Sequence, residues 1–205
     1  LLGAPIGSRE YVEEEVRKKV EKVRVVTELL PLLQDPHVEF VLLRSCLSMP
    51  KFSFVLRTTD TTDIVHLLRD FDATTRDGLA RILGTALDDQ TWQQAKMPVS
   101  LGGMGLRAAE DHAPTAYAAS LLASQTLLKG ITGEDNQAET NGVLSPSLLE
   151  ALTTAMGEEA KEEELVDVPQ RKLGVKVDLE QQRKKEEMAR DCLLYTSPSP
   201  RDEKV

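Results

Sequence analysis

Residues 8–30 read SREYVEEEVRKKVEKVRVVTELL, and this stretch decides the fold class. Val12, Val16, Val20, Val23, Val26 and Leu30 recur at spacings of 3 and 4. That period lines up one face of an α-helix. Glu14, Arg17, Lys18, Glu21 and Lys22 fall on the opposite face. Ser8 supplies a side-chain oxygen for the N-cap, and Glu10 and Glu13 place negative charge near the positive end of the helix dipole. Pro31 lacks the amide hydrogen that a helix interior needs, so the helix should end or kink there.

The same logic extends along the chain. Asp35-Pro36 is a cap followed by proline at the first helical position. Val38 to Leu47 is apolar nearly all round and suits a central helix; Met49-Pro50 breaks it. KFSFVLR, residues 51–57, is ambiguous: its alternation fits a strand, its neighbours favour a short helix. Ile64, Leu67, Leu68, Phe71, Leu79, Ile82 and Leu83 mark a further long helix, with Asp60 or Thr62 as its cap and Gly84 as its stop. Asp88-Asp89 can cap a short helix carrying Trp92 and Ala95. Residues 98–105 form a glycine-rich turn. Ala, Ser and Leu dominate residues 107–131, which permits close helix packing, with Pro114 expected as a break. TGEDNQAETN, residues 132–141, has linker composition. Ser145-Pro146 opens a short helix, the acidic residues 158–164 read as a solvated cluster, and residues 177–191 read as a charged helix with little apolar face.

Only 4% of the 205 residues are aromatic, so the core must be built from Leu, Val, Ile and Ala, as packed helices allow. The expectation is an all-α, irregular bundle of about five or six helices, with a short extended N-terminus and a largely disordered acidic tail. Its parts are an extended segment at 1–7, a helical domain at 8–131, a linker at 132–144, a charged helical or disordered tail at 145–191, and an end segment at 192–205. The formal net charge of −9 is uneven. Residues 1–131 carry 15 basic and 17 acidic side chains, a net of −2, and the remainder 10 and 17, a net of −7. Neither part has the basic balance of a free-standing nucleic-acid binder, although a local basic face remains open.

Reactive groups are sparse. Cys46 and Cys192 form no metal-type spacing, and Cys46 is expected as a small buried hydrophobe. His37, His66 and His112 are scattered and expected at the surface or as caps. Ser8, Ser45 and Ser120 have no nucleophile-elbow context. Residues 102–105, GGMG, lack the spacing of a phosphate-cradling loop and read as a tight turn requiring positive φ. No apolar run is long enough for a membrane span, and the chain reads as intracellular, cytoplasmic or nuclear.

Several blocks, in order, resemble the segment after the catalytic aspartates in reverse transcriptases of non-LTR (LINE-like) retrotransposons. They are LLGAPIGS (1–8), DPHVEFVLLRSCLSMPKFSFVLRT (35–58), LLRDFD (67–72), DDQTWQQAKMPVSLGGMGLRAA (88–109) and AYAASLLAS (116–124), with PQRKLGVKVD (169–178) as a weaker match. The resemblance implies that the first block is the primer grip and the helices after it the thumb, which hold an RNA/DNA primer–template duplex. On that basis Leu2, Gly3 and Pro5 would press backbone against a primer strand, and Lys51 and Arg57 would meet backbone phosphates. The parent enzyme would use Mg²⁺ held by aspartates of a palm hairpin. No such hairpin occurs in this chain, and Asp88-Asp89 reads as a cap. The fragment itself is therefore expected to have no catalytic residue, no metal, no cofactor and no small-molecule ligand. The other reading is a helical protein-interaction module, or a remnant reading frame, without nucleic-acid binding. Finally, CLLYTSPSPRD, residues 192–202, resembles the translated form of a sequencing-library adapter, which would place the natural end near Asp191.

Overall fold

The computed structural model describes residues 3–132, 143–166 and 168–196, and among these the regular structure is entirely helical. Helix α1 (Arg9–Glu28) begins where Ser8 Oγ accepts from the Tyr11 amide. It ends before Pro31, which sits in a 3₁₀ turn, Leu30–Leu33. Helix α2 (Pro36–Leu42) starts on Asp35, whose carboxylate accepts from the amides of His37 and Val38. It widens into a π turn at Leu43–Leu47. KFSFVLR then lies in α3 (Met49–Thr58), with Pro50 in its first turn, where the missing amide hydrogen costs nothing. Neither candidate caps the next helix: the Asp60 carboxylate accepts from the amide and hydroxyl of Thr62 just ahead of it, and the 3₁₀ turn Thr62–Ile64 and α4 (Val65–Leu83) follow without side-chain caps. Gly84 ends α4 at φ +66°. Asp88 caps α5 (Asp89–Lys96), its carboxylate accepting from the Thr91 amide at 2.7 Å. Helices α6 (Ala109–Thr132), α7 (Pro146–Met156), α8 (Glu162–Leu165) and α9 (Gln170–Thr196) follow among the described residues. Among the described residues, six of these helices, α1 to α6, fall in the stretch expected to form the helical domain, and α7, α8 and α9 lie in the stretch expected as a charged helical or disordered tail, which is therefore helical where it is described.

The first apolar cluster joins α1 to the first half of α6. Val16, Val20, Val23 and Leu30 are buried as their spacing implied, whereas Val26 is 46% exposed. Leu43, Leu56, Leu68 and Leu79 are fully buried, and the rings of Phe52 and Phe71 stack with centroids 4.3 Å apart. Gly78 lets α4 approach α1, since a Cβ there would lie 2.8 Å from Thr27 Cγ2. The second cluster takes the outer half of α6 with Leu148, Leu152, Leu173 and Val177. Helix α9 therefore has a real apolar face, and it starts at Gln170 rather than 177. Glu162, expected as solvated charge, instead caps the chain entering α7, accepting from the amides of Val143 and Leu144. The linker 133–142 and residues 197–205 lie outside the described residues, as does most of the adapter-like stretch; residues 192–196 belong to the backbone of α9.

Three further expectations change. Pro114 does not break α6 but lies inside it. It falls in the second turn, where one amide hydrogen is lost, while the free N-terminal amides of Ala109 and Glu110 donate to the Asp72 carboxylate at 2.7 and 3.0 Å. Cys46 is exposed, because the π turn rotates it away from the core face that Leu43 and Leu47 occupy. His112 is neither a cap nor on the surface: it is buried, with Nε2 3.4 Å from Asp178 Oδ1.

The glycine loop after α5 is a structural turn. Gly102 and Gly105 have φ of +77° and +75°, and the amides of Gly103 and Gly105 donate to the Pro98 and Met97 carbonyls. A Cβ on Gly103 would lie 2.0 Å from the Met97 carbonyl oxygen. Gly103→Ala should therefore lower stability by about 1–3 kcal/mol, the usual range for overpacking. Thermal unfolding checks this, and an unchanged midpoint would show that the loop is not so tightly closed.

Candidate functional site

The helix surface of α1 first sorts its charges. Arg17 pairs with Glu13 at 2.6 Å and with Glu14, Lys18 with Glu15 at 3.0 Å, and Arg24 with Glu21 at 2.7 Å. Hydrogen bonding to Glu15 raises the Lys18 pKa, and bonding to Arg24 lowers that of Glu21. Arg17 and Lys18, two of the three cations on the polar face of α1 read from the sequence, are thus occupied by neighbours one turn away.

Lys19 and Lys22 point elsewhere. They line a groove of about 430 Å³ between α1 and α3, together with Val26, Lys51 and Phe54. Lys51 comes from the start of α3 and Phe54 from one turn later, so both reach the same opening. Among the described residues, neither Lys22 nor Lys51 has an ion-pair partner. Phe54 is 46% exposed although its neighbours Phe52 and Val55 are core residues. An exposed aromatic ring between free ammonium groups is a surface suited to a polyanion with apolar faces.

The N-terminal segment is tied to two residues that line the groove, Lys19 and Phe54. Lys19 Nζ donates to the Gly3 carbonyl at 2.9 Å. Gly3 has φ +86°, and a Cβ on it would approach the Phe54 ring to 3.9 Å. Pro5 is buried, which anchors the segment. Of the five residues singled out from sequence, Lys51 lines the groove and Gly3 is tied to it through Lys19, with Pro5 buried nearby in the chain. Leu2 lies outside the described residues. Arg57 stands apart: it lines a different cavity, of about 360 Å³, with Ser120, Ala123 and Pro169. The residue that sequence reasoning missed is Lys19. Its position one turn before Val23 gives no sign that its ammonium reaches back to the chain start. The acidic neighbours of Lys22 hid that residue's freedom, since charge counting cannot tell which pairs form.

The acidic pair at the start of α5 is accounted for by structure. Asp88 is a cap and Asp89 pairs with Arg76 at 2.9 Å. Among the described residues, no group of three or more His, Cys, Asp or Glu is placed to hold a metal ion. Nor, among the described residues, is any helix long and apolar enough to cross a membrane. Comparison with protein-family models gave no match, and comparisons with curated proteins and with solved structures gave none either.

Proposed function

We propose that this chain is the duplex-holding part of a retrotransposon-type RNA-directed DNA polymerase, acting by positioning a primer–template and not by making bonds. The observation that carries the reading is the lysine groove: Lys19 ties down the Gly3 turn while Lys22 and Lys51 remain free of ion pairs beside it. Cations placed this way attract the phosphate backbone without reading sequence. A turn fixed against them would set where a strand lies, and holding reactants in register is itself a large part of a polymerase's task. The templated addition of deoxynucleotides to a DNA 3′ end would belong to a neighbouring palm.

The test is binding of a labelled RNA/DNA duplex, followed by fluorescence anisotropy over a salt series. Lys22→Glu with Lys51→Glu should weaken binding roughly tenfold or more at low salt and flatten the salt slope by about one for each phosphate no longer neutralised. Arg57→Glu, on another surface, should have less effect. Absence of duplex binding at low salt would sink the proposal.

A second reading, a helical protein-interaction module, is favoured by a different observation. Leu29, Leu32, Leu33, Val38 and Val41, around the junction of α1 and α2, are each 40–77% exposed. Apolar side chains grouped like this commonly mark a protein contact. Under this reading the lysine reversals change nothing, and the chain self-associates or binds another protein through the α1–α2 end.

A further inference from the structure

A second cationic surface lies away from the lysine groove. Two cavities, of about 540 and 620 Å³, share Met49, Pro98, Ser100 and Arg107 and so form one continuous cleft beside the glycine loop. Arg171, from the first turn of α9, lines one part and Arg44, from the π turn after α2, lines the other. Among the described residues, neither Arg44 nor Arg171 has an ion-pair partner. Asp178 is the only carboxylate lining the cleft among the described residues. Both its oxygens are engaged, Oδ2 accepting from Arg107 at 2.5 Å and Oδ1 lying 3.4 Å from His112 Nε2. The cleft is thus cationic in a chain whose net charge is −9.

The fold holds these groups in place. Gly105 has φ +75°, and a Cβ there would lie 3.1 Å from Arg44 Nε, so the bare glycine leaves room for the guanidinium to lie along the loop. Asp178 is buried, and its bond fixes Arg107 between the two cavities. A planar guanidinium offers paired N–H donors that match a phosphate bidentately. Lysines dominate the other groove, whereas this cleft draws its cations from three arginines. A volume of this order suits a small-molecule ligand.

We infer that this cleft binds a small phosphorylated anion, a diphosphate group bridging Arg44 on one side and Arg107 with Arg171 on the other. This departs from the expectation that the chain has no small-molecule ligand, and it does not depend on duplex binding in the lysine groove. The test is calorimetric titration of the full chain with inorganic pyrophosphate at low ionic strength. Saturable one-to-one binding is expected, weakened about tenfold by Arg44→Gln or by Arg171→Gln, as removal of one charge-assisted hydrogen-bonding group implies. Both side chains are exposed and outside any ion pair among the described residues, so neither change should disturb folding, which the thermal unfolding midpoint verifies. Lys22→Gln with Lys51→Gln should leave pyrophosphate binding unchanged. No saturable heat, or full binding by the double variant R44Q/R171Q, would overturn the inference. So would loss of oligonucleotide binding in R44Q/R171Q without any pyrophosphate binding to wild type, because the cleft would then serve nucleic-acid backbone instead.

Discussion

Phe71→Ala should destabilise the chain by about 3–5 kcal/mol, the range for deleting a fully buried aromatic side chain. Phe71 is 0% exposed and Phe52 is 1% exposed, with their rings tilted by 31°. The pair joins α3 to α4 in the same apolar cluster as Leu56, Leu68 and Leu79, so deleting the ring leaves a cavity in the core. Domains of this size are stable by only about 5–15 kcal/mol, and the loss would remove a large fraction of that. Urea unfolding would show it as a lower midpoint with an unchanged slope. Phe71→Leu keeps most of the volume and should cost less than the alanine change. A loss under about 1 kcal/mol for alanine would mean that α3 and α4 do not pack as described.

Asp72→Asn should abolish a pH dependence that wild type shows between about pH 4 and pH 7. Burial pushes the Asp72 carboxyl from 3.8 up to about 7, against the two amide hydrogen bonds from Glu110 and Ala109 that favour its charge. Asp111 reinforces the rise and Lys96 opposes it, and these two pair with each other at 2.9 Å. Because the folded value is raised, the folded chain holds a proton that the unfolded chain has already released across this window. Raising the pH therefore weakens folding. The slope approaches about 1.4 kcal/mol per pH unit and sums to roughly 4 kcal/mol at most. The asparagine keeps an acceptor for α6 and carries no titrating proton. The measured quantity is the difference in unfolding free energy between wild type and variant, at several pH values. Wild type should lose ground to the variant as pH rises; parallel curves, or a gain for wild type, would show that Asp72 stays ionised in the fold. Asp72→Ala, lacking both acceptors, should cost about 1–3 kcal/mol even at low pH, because buried amides are left unpaired.

How much of this could be read in the chain depends on the kind of information each feature carries. The valine stripe of α1 and the Leu/Phe stripe of α4 record backbone periodicity directly, and so do the caps at Ser8, Asp35 and Asp88 and the stop at Gly84. These features are local: a side-chain oxygen three residues from an amide, or an apolar face repeating every turn, is visible without knowing any neighbour. KFSFVLR remained ambiguous because seven residues are too few to separate a period of 2 from one of 3.6. Its helical state follows from the proline start ahead of it and from packing against α6.

The lysine groove was only half legible. Lys51, singled out from the sequence, lines the groove; Lys19, which was not, lines it too and holds the Gly3 carbonyl, and Arg57 lines another cavity. Residues 51 and 57 are six apart, and a helix carries such positions to different sides.

From its sequence alone, this chain was bound to be helical, aliphatic in its core, acidic toward its end and punctuated at its prolines and glycines. Those properties rest on interactions within a few residues. Only the tertiary structure decided that Asp72 would cap a helix 37 residues later. It also decided that Cys46 would be exposed, that His112 would be buried beside Asp178, and that separate lysines and arginines would gather into two distinct surfaces. Charges carry no periodic signal of their own, so where they converge is set by how the apolar faces of the helices pack.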